Sequence, residues 1–177
     1  AAAAAAPGIV VIQEWWGLQD QIRGICDRLA LAGYNALAPD LYAGRTVPYH
    51  DHAAALAEMK SLNFLDACDQ TARGAAQYLK RNGAKAGLTG FCMGGAVTIL
   101  GAARIPEIAA AAAFYGLPPE DAVSPSDIRI PLQGHYARKD EYSMVRHVEK
   151  FEAGLKAANP ASSSPEKAAS PGTTSEG

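Results

Sequence analysis

Apolar residues in this chain fall into short runs separated by amphipathic stretches, and the two kinds of segment alternate. Residues 8–13 (GIVVIQ) form a continuous apolar run, the pattern of a strand buried on both faces. Ile22, Ile25, Cys26 and Leu29 then recur at helical spacing over residues 19–31, and Gly33 closes that helix. A second short strand is predicted over residues 35–39 (NALAP), followed by a loop over 40–48. Helices are predicted over 51–60 and 65–80, the second ended by Asn82 and Gly83. Residues 85–89 predict a strand, and a helix-like run extends to Leu100. Two further strands are expected at 108–114 (IAAAAAF) and 130–134 (IPLQG), with a proline-rich loop at Pro118 and Pro119 between them and a last helix over 143–157. This order predicts an α/β fold: a mostly parallel sheet with helices on both faces, in three layers.

The ends read differently from the middle. Residues 1–6 are six alanines, and residues 159–177 are rich in Ser, Pro, Gly, Thr and Ala without apolar periodicity. Such composition is linker-like. One domain over residues 7–157 is therefore expected, with atypical ends at 1–6 and 158–177.

Composition narrows the function classes. The chain has 177 residues, of which 49% are hydrophobic and 19% charged, so it can bury a sizeable core. A net charge of −2 gives no electrostatic reason to expect nucleic acid or an anionic membrane as partner. No apolar run approaches the ~20 residues that span a bilayer, and the alanine stretch lacks the basic and apolar regions of a signal peptide. Cys26, Cys68 and Cys92 are odd in number and lack metal-ligand spacing, which points to reduced thiols in a cytoplasm. His50, His52, His135 and His147 form no metal-ligand set, so neither metal nor cofactor is expected.

The chemistry concentrates at Gly90-Phe91-Cys92-Met93-Gly94-Gly95. A strand, a glycine-flanked cysteine and a helix are the parts of a nucleophile elbow. In that turn the central residue takes a strained backbone geometry, and small neighbours are needed to avoid clashes. The helix start supplies free N–H groups and partial positive charge to the reactive atom. The competing reading is a buried cysteine in an ordinary strand-to-helix turn.

Three features accompany the elbow. Glu14 directly follows the first strand, on the sheet edge where open α/β folds bind ligands; a helix-dipole partner is the alternative. Asp140 follows the strand at 130–134, in the chain order nucleophile then acid, and also suits a helix N-cap. Trp15 and Trp16 suit an apolar pocket wall, with core packing as the competitor.

The segments PGIVVIQEWWGL, GYNALAPDLYAGR, GLTGFCMGGA, FYGLPP and GHYARKDE together resemble the dienelactone hydrolase family of α/β-hydrolases, in order and spacing, over residues 7–156. The resemblance implies Cys92 as nucleophile, Asp140 as triad acid, and Glu14 as the carboxylate that contacts the resting cysteine and accepts its proton. It further implies the backbone N–H groups of Met93 and Trp15 as an oxyanion hole. The activity implied is hydrolysis of small esters or lactones through an acyl-cysteine.

The resemblance also implies a histidine after one more strand, and antiparallel strands before the first. Here the last strand and those N-terminal strands are not found, and no histidine follows Lys156. Of the histidines present, His135 reads as a strand residue, His147 as a helix-surface residue, and His50 and His52 lie in a loop on the correct sheet edge. Arg45 and Arg138, in loops at that edge, are candidates to grip a substrate carboxylate. Two other functions stay open at this stage: a non-catalytic binding protein on the same fold, and a redox sensor acting through Cys92.

Overall fold

The computed structural model describes residues 6–81, 84–138 and 145–159. Five parallel strands form one sheet: β1 (Gly8–Ile12), β2 (Asn35–Leu37), β3 (Ala86–Phe91), β4 (Ile108–Phe114) and β5 (Leu132–His135), in the spatial order β2-β1-β3-β4-β5. Each predicted strand is present, with ends shifted by at most two residues.

The connections decide which face each helix covers. Helix α1 (Asp20–Leu31) joins β1 to β2 in one direction along the sheet. The chain then returns past β1 to β3 through α2 (His52–Ser61), α3 (Phe64–Asp66), a π-helical segment (Ala67–Ala72) and α4 (Arg73–Lys80). Right-handed crossovers running in opposite directions put their helices on opposite faces, so α1 lies on one side and α4 and α5 (Met93–Arg104) on the other. The expected helix at 65–80 is thus continuous but widened at its middle into π geometry. Asp51, predicted inside α2, is its N-cap and accepts the Ala54 N–H at 2.9 Å.

The core lies between the sheet and α5. Val10, Val11, Ile12, Leu88, Val97, Ile99 and Ile128 are all at most 2% exposed. Helix α5 is buried nearly all round, which explains its apolar sequence. After β5 the chain forms α6 (Val145–Ala158). Asn159, expected outside the fold, is buried and donates to the carbonyls of Ile128 and Ile130 at 3.3 and 2.8 Å. Its side chain closes the end of α6 against the loop before β5.

Because β1 connects outward to β2 while the chain resumes on its other side at β3, the strand order reverses between β1 and β3. A crevice opens at the carboxyl ends of strands at such a point. Glu14 follows β1 and Cys92 follows β3, so the sequence order alone delivers both to that crevice.

Candidate active site

Cys92 stands between β3 and α5 with φ 53° and ψ −120°, a left-handed backbone that a side-chain-bearing residue rarely adopts. The surroundings over-determine this strain. The Cys92 N–H donates to the Phe114 carbonyl at 3.0 Å, and the Cys92 carbonyl accepts from Gly95 at 2.8 Å. A Cβ at Gly94 would stand 2.5 Å from the Gln13 carbonyl oxygen and 2.6 Å from that of Ile12. A Cβ at Gly90 would overlap the Gly94 carbonyl, and one at Gly116 would overlap that of Cys92. The glycines are therefore what let α5 start directly against the ends of β1 and β4. The turn has the strained backbone and close glycine packing that an elbow requires.

Met93 is the first residue of α5, so its N–H has no intrahelical acceptor. On the β1 side, residues 14–17 make a turn in which the Gly17 N–H donates to the Glu14 carbonyl at 3.2 Å. Gly17 has φ +92°, and a Cβ there would lie 2.6 Å from the Arg45 carbonyl oxygen. With the Glu14 carbonyl turned toward Gly17, the N–H of the same peptide, that of Trp15, faces out of the turn. Of the two backbone groups suggested for an oxyanion hole, that of Met93 thus lies at the start of α5 and that of Trp15 in the turn after β1.

Glu14 does not act on the first turn of α1, which begins six residues later with Asp20. Its Oε1 instead accepts a 2.7 Å hydrogen bond from the Tyr115 hydroxyl. Tyr115 follows β4 and also has a positive φ, 41°. Burial, this carboxylate and nearby Cys92 all push the Tyr115 hydroxyl well above the usual tyrosine range. Tyr115 therefore stays a neutral donor. The FYGLPP segment contained it, but no periodic or motif signal singled it out as a site residue.

Tyr42 is the second residue that sequence reasoning did not single out. It is 1% exposed, and its hydroxyl donates to the Trp15 carbonyl at 3.1 Å and lies 3.3 Å from Met93 Sδ. Burial first, then Glu58 and Cys92, push its pKa up to about 12.

An aromatic wall borders this side of the site. The Trp16 ring meets Trp15, Tyr49 and His52 edge-on, with centroids 5.0, 5.5 and 5.2 Å away, and His52 also meets Trp15 at 5.8 Å. His52 is thereby brought to the indole pair. His135 is stacked on Phe114 at 4.4 Å, and His147 lies 3.3 Å from Glu120. His50 sits in an exposed turn.

The two arginines differ. Arg45 Nε is 3.1 Å from both Glu58 carboxylate oxygens, so its charge is already answered by a protein carboxylate. Arg138 is exposed beyond β5. Asp140 lies outside the described residues. Among those residues no group of His, Cys, Asp and Glu could hold a metal ion, and no helix is long and apolar enough to cross a membrane.

The thiols divide in the same way. Burial pushes Cys68 up to about 12 and raises Cys26 as well, so both stay protonated near neutrality. Cys92 is half-buried at a helix start.

The sequence pattern of the dienelactone hydrolase family matches residues 1–163. The chain belongs to that family. Among curated relatives, "Protein usf" of Aquifex pyrophilus is 37% identical over 144 residues, covering 77% of this chain and 62% of that protein. The "Putative carboxymethylenebutenolidase" of Aquifex aeolicus is 35% identical over 146 residues, covering 78% of this chain and 63% of that one. The chain therefore spans less than two thirds of the length of these relatives. A crystal structure of a "Putative Dienelactone Hydrolase" from Klebsiella pneumoniae superposes with a TM-score of 0.77 at 31% identity, over 89% of this chain and 72% of that one. The five parallel strands and flanking helices are accordingly the dienelactone hydrolase version of the α/β-hydrolase fold.

Proposed function

We propose that this protein is a hydrolase of small esters or lactones that works through an acyl-Cys92 intermediate. The observation that carries the reading is the strained Cys92 at a glycine-lined elbow, at the start of α5 and at the same sheet end as Glu14.

In the first half-reaction the Cys92 thiol gives its proton to Glu14, and the sulfur attacks the carbonyl carbon. The carbonyl oxygen becomes an oxyanion, which the Met93 and Trp15 N–H groups stabilise. When the intermediate collapses, the C–O bond breaks and the departing alkoxide takes up the proton, leaving a thioester. In the second half-reaction a base-activated water attacks the thioester and releases the acid. The resemblance implies as that base a histidine after one more strand, oriented by Asp140, and none of His50, His52, His135 and His147 is assigned to that role. The aromatic wall of Trp15 and Trp16 fits an apolar acyl or leaving group, while Arg45, paired with Glu58, is a weak candidate for gripping a carboxylate. Arg138 is the other candidate for that contact. No metal or cofactor enters these steps. Three free thiols suit a reducing, cytoplasmic compartment.

Nitrophenolate release from p-nitrophenyl acetate, compared with Cys92→Ala, tests the reading. Release well above the variant's rate is expected, at least as a stoichiometric burst; equal release from both proteins overturns it.

A further inference from the structure

One buried hydroxyl touches both residues whose N–H groups flank Cys92. Tyr42 Oη donates to the Trp15 carbonyl at 3.1 Å and stands 3.3 Å from Met93 Sδ. Its own placement is fixed from three sides. Asp40 accepts the N–H groups of Tyr42 and Gly44 at 2.8 and 2.5 Å, Gln13 Oε1 accepts that of Leu41 at 3.1 Å, and Ala43 and Gly44 reverse the chain with φ 52° and 88°.

The consequence falls on the peptide planes of the turn at 14–17. The Glu14 carbonyl is held by Gly17, and the Trp16 carbonyl by the Val47 N–H at 2.8 Å. Between them the Trp15 carbonyl points toward the buried Tyr42 hydroxyl. The Tyr42 hydroxyl is the group that holds it. Without that donor the Trp15–Trp16 peptide loses the bond that fixes its plane, and the preceding peptide, which carries the Trp15 N–H and is joined to it at the Trp15 Cα, keeps only the Glu14–Gly17 bond as its anchor.

We infer that Tyr42 is a positioning residue, which keeps the Trp15 N–H aimed at the substrate oxyanion by anchoring the Trp15 carbonyl. The inference rests on the reading of Cys92 as the acylated nucleophile. Tyr42 touches the reacting atoms only through Trp15 and Met93. It remains a donor throughout the neutral range because burial and the surrounding negative charge keep its hydroxyl protonated.

The test compares two reactions of Cys92 in Tyr42→Phe. Acylation by p-nitrophenyl acetate passes through an oxyanion; alkylation by iodoacetamide does not. Removing one oxyanion-hole donor costs about 10²–10³ in rate, and misaligning one costs less. The expected result is an acylation rate constant lowered about 10- to 100-fold, an unchanged half-saturating ester concentration, and alkylation within about twofold of wild type. Replacing Tyr42 with 4-fluorophenylalanine fills the same volume without a donor and repeats the comparison in a core with no missing atom. Replacing it with 4-aminophenylalanine restores a donor and should restore acylation. Equal slowing of both reactions, or no slowing of acylation, overturns the positioning role while wild-type acylation preserves the reading of Cys92. Absence of any acyl group on wild-type Cys92 overturns both.

Discussion

The Tyr115 hydroxyl and the Glu14 carboxylate share a 2.7 Å hydrogen bond across 101 residues of sequence. Glu14 ends β1 and Tyr115 ends β4, while Cys92 ends β3 between them. The bond thus bridges the two strands that flank β3, and it fixes the Glu14 carboxylate at the sheet end where Cys92 stands.

In the proposed mechanism that arrangement sets the reactivity of Cys92. A carboxylate near a thiol disfavours the thiolate, by an amount of order 1 kcal/mol in partly solvated surroundings. Glu14→Gln should therefore speed alkylation of Cys92 by iodoacetamide at pH 7 by about three- to tenfold, while slowing acylation by an ester, which in the proposed mechanism uses the carboxylate as proton acceptor. Mass spectrometry of the Cys92 peptide reads both. An unchanged alkylation rate would mean that Glu14 does not control the thiol.

The elbow glycines predict a contrast in stability. Gly94→Ala would drive a Cβ into the carbonyls of Gln13 and Ile12, with backbone on both sides and nothing flexible to yield. Loss of more than about 3 kcal/mol, or insoluble protein, is expected. Gly24, inside α1, has nothing within 4 Å of a Cβ. Gly24→Ala should gain about 0.5–1 kcal/mol from helix propensity. Thermal unfolding of the two variants should move in opposite directions.

Trp16 joins Trp15, Tyr49 and His52 into one wall, so its removal should be felt in binding. Trp16→Ala is expected to raise KM for aryl esters about tenfold and to change that for ethyl acetate by less than about threefold. Equal effects on both substrates would place the wall away from the substrate.

Alkaline pH provides a further check. Burial, then Glu58 and Cys92, push the Tyr42 hydroxyl up to about 12 in the fold, against about 10 for an unconstrained tyrosine. A raised folded pKa means that its contribution to stability is fully present below pH 10 and is lost as pH rises toward 12. Burial and Glu14 shift Tyr115 in the same direction, and burial does so for Tyr136. The melting temperature should fall steeply above about pH 10, and the fall should be shallower in Tyr42→Phe. Melting curves between pH 8 and 11.5, with tyrosinate absorbance recorded alongside, decide this.

The fold was legible because its signals are periodic. Short apolar runs such as residues 8–13 and 108–114 match strands of a parallel sheet, and their alternation with helices pointed to that topology class. The elbow was legible for a related reason: Gly90, Gly94 and Gly95 record backbone contacts that tolerate no Cβ. Tyr42 and Tyr115 were not legible. Each acts through a single hydroxyl that reaches a partner 27 or 101 residues away, and one such contact leaves no pattern along the chain. The pairing of Arg45 with Glu58 was hidden likewise, since a surface arginine in a loop reads the same whether free or paired. The π-helical turn at Ala67–Ala72 keeps helical composition throughout, so nothing along the sequence marks it.

The central claim is that Cys92 forms a covalent acyl-enzyme. Intact-mass and peptide mass spectrometry after a brief exposure to p-nitrophenyl acetate, quenched in acid, tests it directly. One acetyl group per chain on the peptide containing Cys92, none on those containing Cys26 or Cys68, and none in Cys92→Ala is the predicted result. Acetylation absent from Cys92, or spread equally over the three cysteines, would contradict it.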